Sequence, residues 1–166
     1  LGGGAFESKG KGKQYSLIQL AIGMFEFQVG RLTKDYVHDF EQYSKEQFHK
    51  DVFRTKTSQM RTIPIGLAIT PEMRIEPYND MKKYVAGIRD DIAVQNCVCR
   101  ESTDVIGVSC RHPELSETCL MFSDAARYSI GRGCGRPITN EEALNILNRA
   151  EKAGFVLQPE NAREPQ

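Results

Sequence analysis

The chain has 166 residues, 40% of them apolar and 27% charged, and its 22 basic residues balance 22 acidic ones. That is one domain with room for a small second unit, in the composition of a folded protein rather than a disordered chain or a coiled coil. Zero formal net charge argues against nucleic-acid binding, which brings a basic excess; no apolar run nears the roughly 20 residues that span a bilayer, and Leu1-Gly-Gly-Gly lacks the charged start and apolar core of a secretory signal.

Leu1 to Lys13 is rich in Gly and Lys and has no periodicity. Gln14 to Leu20 alternates loosely and predicts one strand after a Gly-Lys turn. Val29, Leu32, Tyr36, Val37, Phe40 and Tyr43 recur at steps of three and four, a helical stripe over 29–48. This long helix either covers a sheet or pairs two copies of the chain as a homodimer. Thr55 to Arg61 reads as a loop. Thr62 to Ile69 predicts a strand, moved toward a sheet edge by Pro64. Thr70 to Tyr78, with Pro71 and Pro77, reads as an extended connection.

Met81, Tyr84, Val85 and Ile88 give the apolar face of a short helix near 80–88, capped by Asn79 or Asp80. Asp91 to Val98 predicts a buried strand that delivers Cys97 and Cys99. Arg100 to Pro113 reads as a loop carrying Cys110, and 120–130 as a helix with Cys119 near its start. Gly131 to Pro137 predicts a turn-rich link holding Cys134. Thr139-Asn-Glu-Glu142 is a capping box for a helix over 140–153, buried through Ala143, Leu144, Leu147 and Ala150. Gly154 suits the left-handed stop after it, and Phe155 to Leu157 adds a short strand. The sum is an α+β fold: a small mixed or antiparallel sheet packed against several helices, with a Cys-rich half. It divides into an N-terminal segment 1–60, a Cys-containing domain 61–158 and a tail 159–166.

All five cysteines fall between Cys97 and Cys134. An odd count, clustered so tightly, points to a reducing cytoplasm with metal or redox chemistry rather than a secreted disulfide framework. In a strand, Cys97 and Cys99 share one face. A loop can fold Cys110 back onto them, and a helix start favours a thiolate at Cys119. Four thiolates suit an iron–sulfur cluster or a structural zinc ion. Their spacing matches neither the bacterial ferredoxin run nor a doubled C-x2-C. A third reading is a Cys97–Cys99 dithiol, which a two-residue bridge would strain. Cys134, between Arg132 and Arg136, reads as a small residue in a tight loop. His112, two residues after Cys110, covers the site or replaces one sulfur ligand. Arg100 and Arg111 flank cysteines and offset thiolate charge or are solvated. The sequence has no G-x-S-x-G, HExxH or P-loop, so no catalytic constellation is visible.

The runs Cys97-Val-Cys99-Arg100, Cys110-Arg-His-Pro113, Glu117-Thr-Cys119-Leu-Met-Phe122, Gly131-Arg-Gly-Cys-Gly-Arg136, Ile138-Thr-Asn-Glu-Glu142-Ala143 and Ala150-Glu-Lys-Ala-Gly154-Phe together resemble a group of proteins described as 4Fe-4S ferredoxin-type iron–sulfur binding proteins of anaerobic prokaryotes. Gly23-Met-Phe25-Glu26-Phe27-Gln28 and Pro159-Glu-Asn161 extend the resemblance over most of the chain. Members of that group begin with a winged-helix-like unit and end with Cys-rich ferredoxin motifs. The resemblance therefore implies a central fragment, with Leu1 to Leu20 as the end of the wing. It implies Cys97, Cys99, Cys110 and Cys119 as the cofactor and metal ligands. The cofactor would be a 4Fe-4S cluster, with zinc or no metal as the alternative in air-exposed protein. The partner would be a redox protein, with no nucleic acid and no membrane span.

Overall fold

In a computed structural model, residues 5–10, 12–17, 20–50, 54 and 78–158 are described. The expected loop at 55–61, strand at 62–69, connection at 70–77 and tail at 159–166 lie outside the described residues. The start of the chain is a hairpin rather than a single strand. Strand β1 (Ala5–Gly10) pairs antiparallel with β2 (Gly12–Leu17). Gly10 and Gly12 are the last pair of that ladder.

The stripe of apolar residues from Val29 forms a shorter helix than its periodicity predicts. A wide turn at Leu20–Met24 and a single 3-10 turn at Glu26–Gln28 come first. Gly30, at φ +75°, then redirects the chain. Helix α1 runs Lys34–Tyr43, and its first turn is fastened by Tyr36 N donating to the Thr33 hydroxyl. It continues as a wider turn through Phe48. Phe25 stacks on Phe40 at 4.0 Å between ring centroids, so the segment before α1 folds back over it.

Helix α2 (Tyr78–Gly87) leads to β3 (Ile92–Asn96). Helix α3 (Val98–Val105) follows directly, where a loop is predicted. Then come β4 (Glu117–Phe122), α4 (Ser123–Gly131), β5 (Gly135–Pro137) and α5 (Asn140–Lys152). The three strands form one antiparallel sheet in the order β4-β3-β5. The fold is α+β, as the sequence predicts.

Alternation along β3 assigns its two faces. Ile92 and Val94, with Phe122 and Leu120 opposite them, face α2 and α5. The buried residues there are Val85, Ile92, Ala143 and Leu147, flanked by Ile88, Ile138, Leu144 and Leu157. Each fully buried aliphatic side chain contributes roughly 1.5–3 kcal/mol. Asn140 ties the layer together by donating to the carbonyls of Val85 at 2.7 Å and Ile88 at 2.9 Å. Ala93 and Gln95 point to the other face, which α4 covers with Ala126 and Ser129, all four buried.

The capping box forms in part. Glu142 N donates to the Thr139 hydroxyl at 3.1 Å, but the Glu142 carboxylate pairs with Arg136 at 2.7 Å. A guanidinium already held by Glu117 attracts that carboxylate more strongly than a neutral amide does. At the other end, Gly154 adopts φ +75°. Phe155 N bonds the Ala150 carbonyl and Gly154 N bonds that of Glu151, the two bonds of a Schellman stop. Of the strand expected at 155–157, a bridge at Leu157 remains. Among the described residues, no helix is long and apolar enough to cross a membrane.

A candidate thiol centre at the end of the sheet

The strand expected to carry Cys97 and Cys99 stops at Asn96. Cys97 is extended (φ −74°, ψ 106°) and occupies the cap position of α3. Its carbonyl accepts the amides of Arg100 and Glu101 at 3.1 and 3.0 Å, and its own amide donates to Ser116 at 2.9 Å. Cys99 therefore lies in the first turn of a helix, not two places along a strand. Cys119 is corrected in the opposite sense. It sits within β4, opposite Gln95, and α4 begins only at Ser123, whose φ of +54° turns the chain out of the strand. The helix-start argument made for Cys119 belongs to Cys97.

The ladder explains how these sulfurs meet. Cys119 pairs with Gln95, and Cys97 is two residues beyond it, so both sit on the face that carries Gln95. The register slips between Gln95 and Asn96, which leaves Thr118 unpaired as a bulge. Bulges bend a strand and re-aim its side chains. The Cys119 and Cys99 thiols then lie near enough to Cys97 to alter its hold on its proton.

The Cys119 thiol first, and the Cys99 thiol second, hold the Cys97 thiol well below its ordinary range; the Arg100 amide and guanidinium add to this, against burial. Cys99 and Cys119 are pushed up, chiefly by the Cys97 thiol beside each. Burial, the Cys97 charge and the Glu26 carboxylate push the same way. Of the three, Cys97, at the positive end of α3, is therefore the one that gives up its proton most readily. Cys99 is its exposed member, while Cys97 and Cys119 are partly covered.

Cys110 has a different set of contacts. Its sulfur accepts the His112 amide at 3.4 Å, and its own amide donates to Asp104 at 3.2 Å. The His112 ring lies edge-on to Phe155 at 5.4 Å and meets Glu114 at 3.2 Å. Arg100 lies over the Phe155 ring at 4.2 Å and donates to the Leu115 carbonyl. Phe155 therefore links the start of α3 to the loop that carries Cys110. Cys134 stands beside the 3-10 turn, its thiol donating to the Phe27 carbonyl at 3.8 Å.

Two residues that shape the centre carry little signal in the sequence. Gln95 is 1% exposed. It accepts from the Ser129 hydroxyl at 2.9 Å and donates to the Glu26 carbonyl at 3.2 Å, which holds the Glu26 turn against the sheet. The signal available in the sequence is the pair of amides, Gln95 and Asn96, closing an otherwise apolar strand. Glu101 accepts from Gly30 N at 2.7 Å and ties the same turn to α3; nothing local marks it. Near α5, a polar cavity of about 200 Å³ lies between Glu114, Arg136 and Arg149. Arg136 there is held by Glu117 and Glu142, and Arg149 donates to the Glu114 carbonyl.

The donor set is chemically right for iron–sulfur or zinc, which prefer thiolates. Among the described residues, however, no three or more Cys, His, Asp or Glu side chains stand in position to hold a metal ion. Of the four predicted ligands, Cys97, Cys99 and Cys119 come to one end of the sheet, while Cys110 contacts His112 and Asp104. No protein-family model, curated protein or solved structure matches the chain.

Proposed function

We propose that this chain is the thiolate-bearing part of an electron-transfer protein, holding an iron–sulfur cluster on Cys97, Cys99 and Cys119 with Cys110 as the fourth ligand. The observation that carries this reading is that Cys97 just after β3, Cys99 in the first turn of α3 and Cys119 within β4 lie at one end of the sheet. Such a cluster would accept and release single electrons. The resemblance to ferredoxin-type proteins supports the same reading. Cys97 supplies the anionic donor, because the start of α3 favours negative charge there. Arg100 offsets the charge of a thiolate set, and its stacking on Phe155 fixes where that positive charge sits. Cys99, exposed at the rim, marks the side a redox partner would approach. Ligation requires the sulfurs to turn about their single side-chain bond and the Cys110 loop to close.

A single zinc ion is the second reading. The observation that favours it is the placement of Cys97, Cys99 and Cys119 at one end of the sheet. Four sulfurs at about 2.3 Å from one tetrahedral ion lie roughly 3.8 Å apart, which suits so close a group. Elemental analysis of protein purified without oxygen separates the readings. Iron with acid-labile sulfide supports the first, and one equivalent of zinc supports the second. Protein free of both contradicts each.

A further inference from the structure

The polar cavity of about 200 Å³ beside α5 is lined by no cysteine. On α5 its lining is Glu142, Asn145 and Arg149, which follow at steps of three and four and so share one face of the helix. It also reaches Ile146, an apolar side chain only 7% exposed. The charges around it are divided unevenly. Two carboxylates share the Arg136 guanidinium, Glu117 at 2.8 Å and Glu142 at 2.7 Å, so that group carries more negative than positive charge. Arg149 donates to the neutral carbonyl of Glu114 at 2.8 Å. Among the described residues no carboxylate pairs with Arg149, and the Glu114 carboxylate meets His112 at 3.2 Å instead.

We propose that this cavity binds a free α-amino acid with a small apolar side chain. The ammonium group of the ligand donates to carboxylate lone pairs of Glu117 and Glu142 that Arg136 leaves open. Its carboxylate accepts from Arg149, whose guanidinium carries five N–H donors and spends one on the Glu114 carbonyl. Its side chain rests on Ile146. The charge layout decides the class of ligand. An anion alone would meet two carboxylates around Arg136, and a cation alone would meet the guanidinium of Arg149; a zwitterion satisfies both. Volume decides the size, since about 200 Å³ falls below the roughly 300–1,000 Å³ of pockets that take drug-sized molecules. Arg136 already fixes both carboxylates, which spares the entropy of ordering them when the ligand enters. The inference is separate from the metal reading and uses none of its residues.

The test is isothermal titration calorimetry at neutral pH and low salt on the full chain, purified without oxygen. The probes are L-valine and two analogues that each keep one of its charges: isovalerate, which lacks the ammonium group, and isobutylamine, which lacks the carboxylate. L-valine should bind saturably at millimolar concentration and about tenfold tighter than either analogue, because each analogue loses a charge-assisted contact. Arg149→Gln should reduce L-valine to the level of isobutylamine, and Arg149→Lys, which keeps the charge, should restore part of the affinity. Circular dichroism checks that both variants fold. Absence of saturable L-valine binding overturns the proposal. So does either analogue binding as tightly as L-valine, which would make the cavity a site for a single ion. An unchanged L-valine affinity in folded Arg149→Gln overturns it as well. The metal reading is judged separately, from the metal content of the starting protein.

Discussion

Replacing Gln95 by Leu tests how the polar link beneath the thiol centre is held. Leu has similar bulk but offers no hydrogen bonds. The Ser129 hydroxyl, 0% exposed, loses its acceptor at 2.9 Å, and a buried polar group left unpaired costs about 1–3 kcal/mol. The Glu26 carbonyl loses a donor at 3.2 Å; it is less buried, so this adds about 1 kcal/mol. The expected loss is about 2–4 kcal/mol, a large part of the roughly 5–15 kcal/mol that stabilises a typical domain. Urea denaturation followed by circular dichroism measures it from the shift in midpoint at constant slope. A double-mutant cycle with Ser129→Ala isolates the pair. Removing both partners should cost less than the two single losses together, with a coupling of about 1 kcal/mol or more. A Gln95→Leu protein within about 0.5 kcal/mol of the parent, the scatter of neutral surface changes, would refute the reasoning, as would an additive cycle.

Three further perturbations follow from the same geometry. In Gly135→Ala the new methyl would lie 2.5 Å from the Ser129 hydroxyl and 3.0 Å from the Val94 carbonyl, so α4 must move off the sheet; overpacking of this kind costs about 1–3 kcal/mol, read as a melting temperature several degrees lower. Thr139→Ala removes the bond from Glu142 N and should cost about 1 kcal/mol, whereas Thr139→Ser should keep most of it; equal losses in chemical denaturation would contradict the cap. Asp90 is held down to about 2 from an ordinary 3.8, first by the Asp91 amide, then by Ser123 and Arg127. A lowered acid contributes stability above its unfolded value and loses it as pH falls through the folded one. Asp90→Asn should therefore be less stable than the parent at pH 6 and approach it as pH falls from about 4 toward 2; a gap that persists at pH 2 would show that the charge is not responsible.

Periodicity finds the helices that bury a stripe against the sheet. The i, i+3, i+4 pattern at Met81 to Ile88 and the cap at Thr139 both correspond to helices whose ends lie within a few residues of their predicted positions. It fails where tertiary contacts decide. Val98–Val105 carries Cys, Arg, Ser, Thr and Asp, a run that reads as a loop, yet Cys97 caps it and Glu101 anchors it to Gly30. Leu120 to Phe122 fits a helix or a strand equally well; pairing with Ile92 to Val94 makes it a strand. Gly135 looks like part of a turn, but the absence of a Cβ lets Ser129 approach, and the residues around it complete the sheet. The cysteines stand out by number and clustering. Which of them meet depends on one bulge at Thr118, and no spacing in the sequence encodes it.

The central claim is that Cys97, Cys99 and Cys119 act together as a metal-binding set. Iron, zinc and acid-labile sulfide, measured with the visible spectrum on protein made without oxygen, test it most directly when the parent is compared with a Cys97→Ser, Cys99→Ser variant. Iron with broad visible absorption is expected in the parent, and loss of both in a variant that keeps its helical circular dichroism. A folded variant with the parent's metal content, or a parent with no metal, would contradict it.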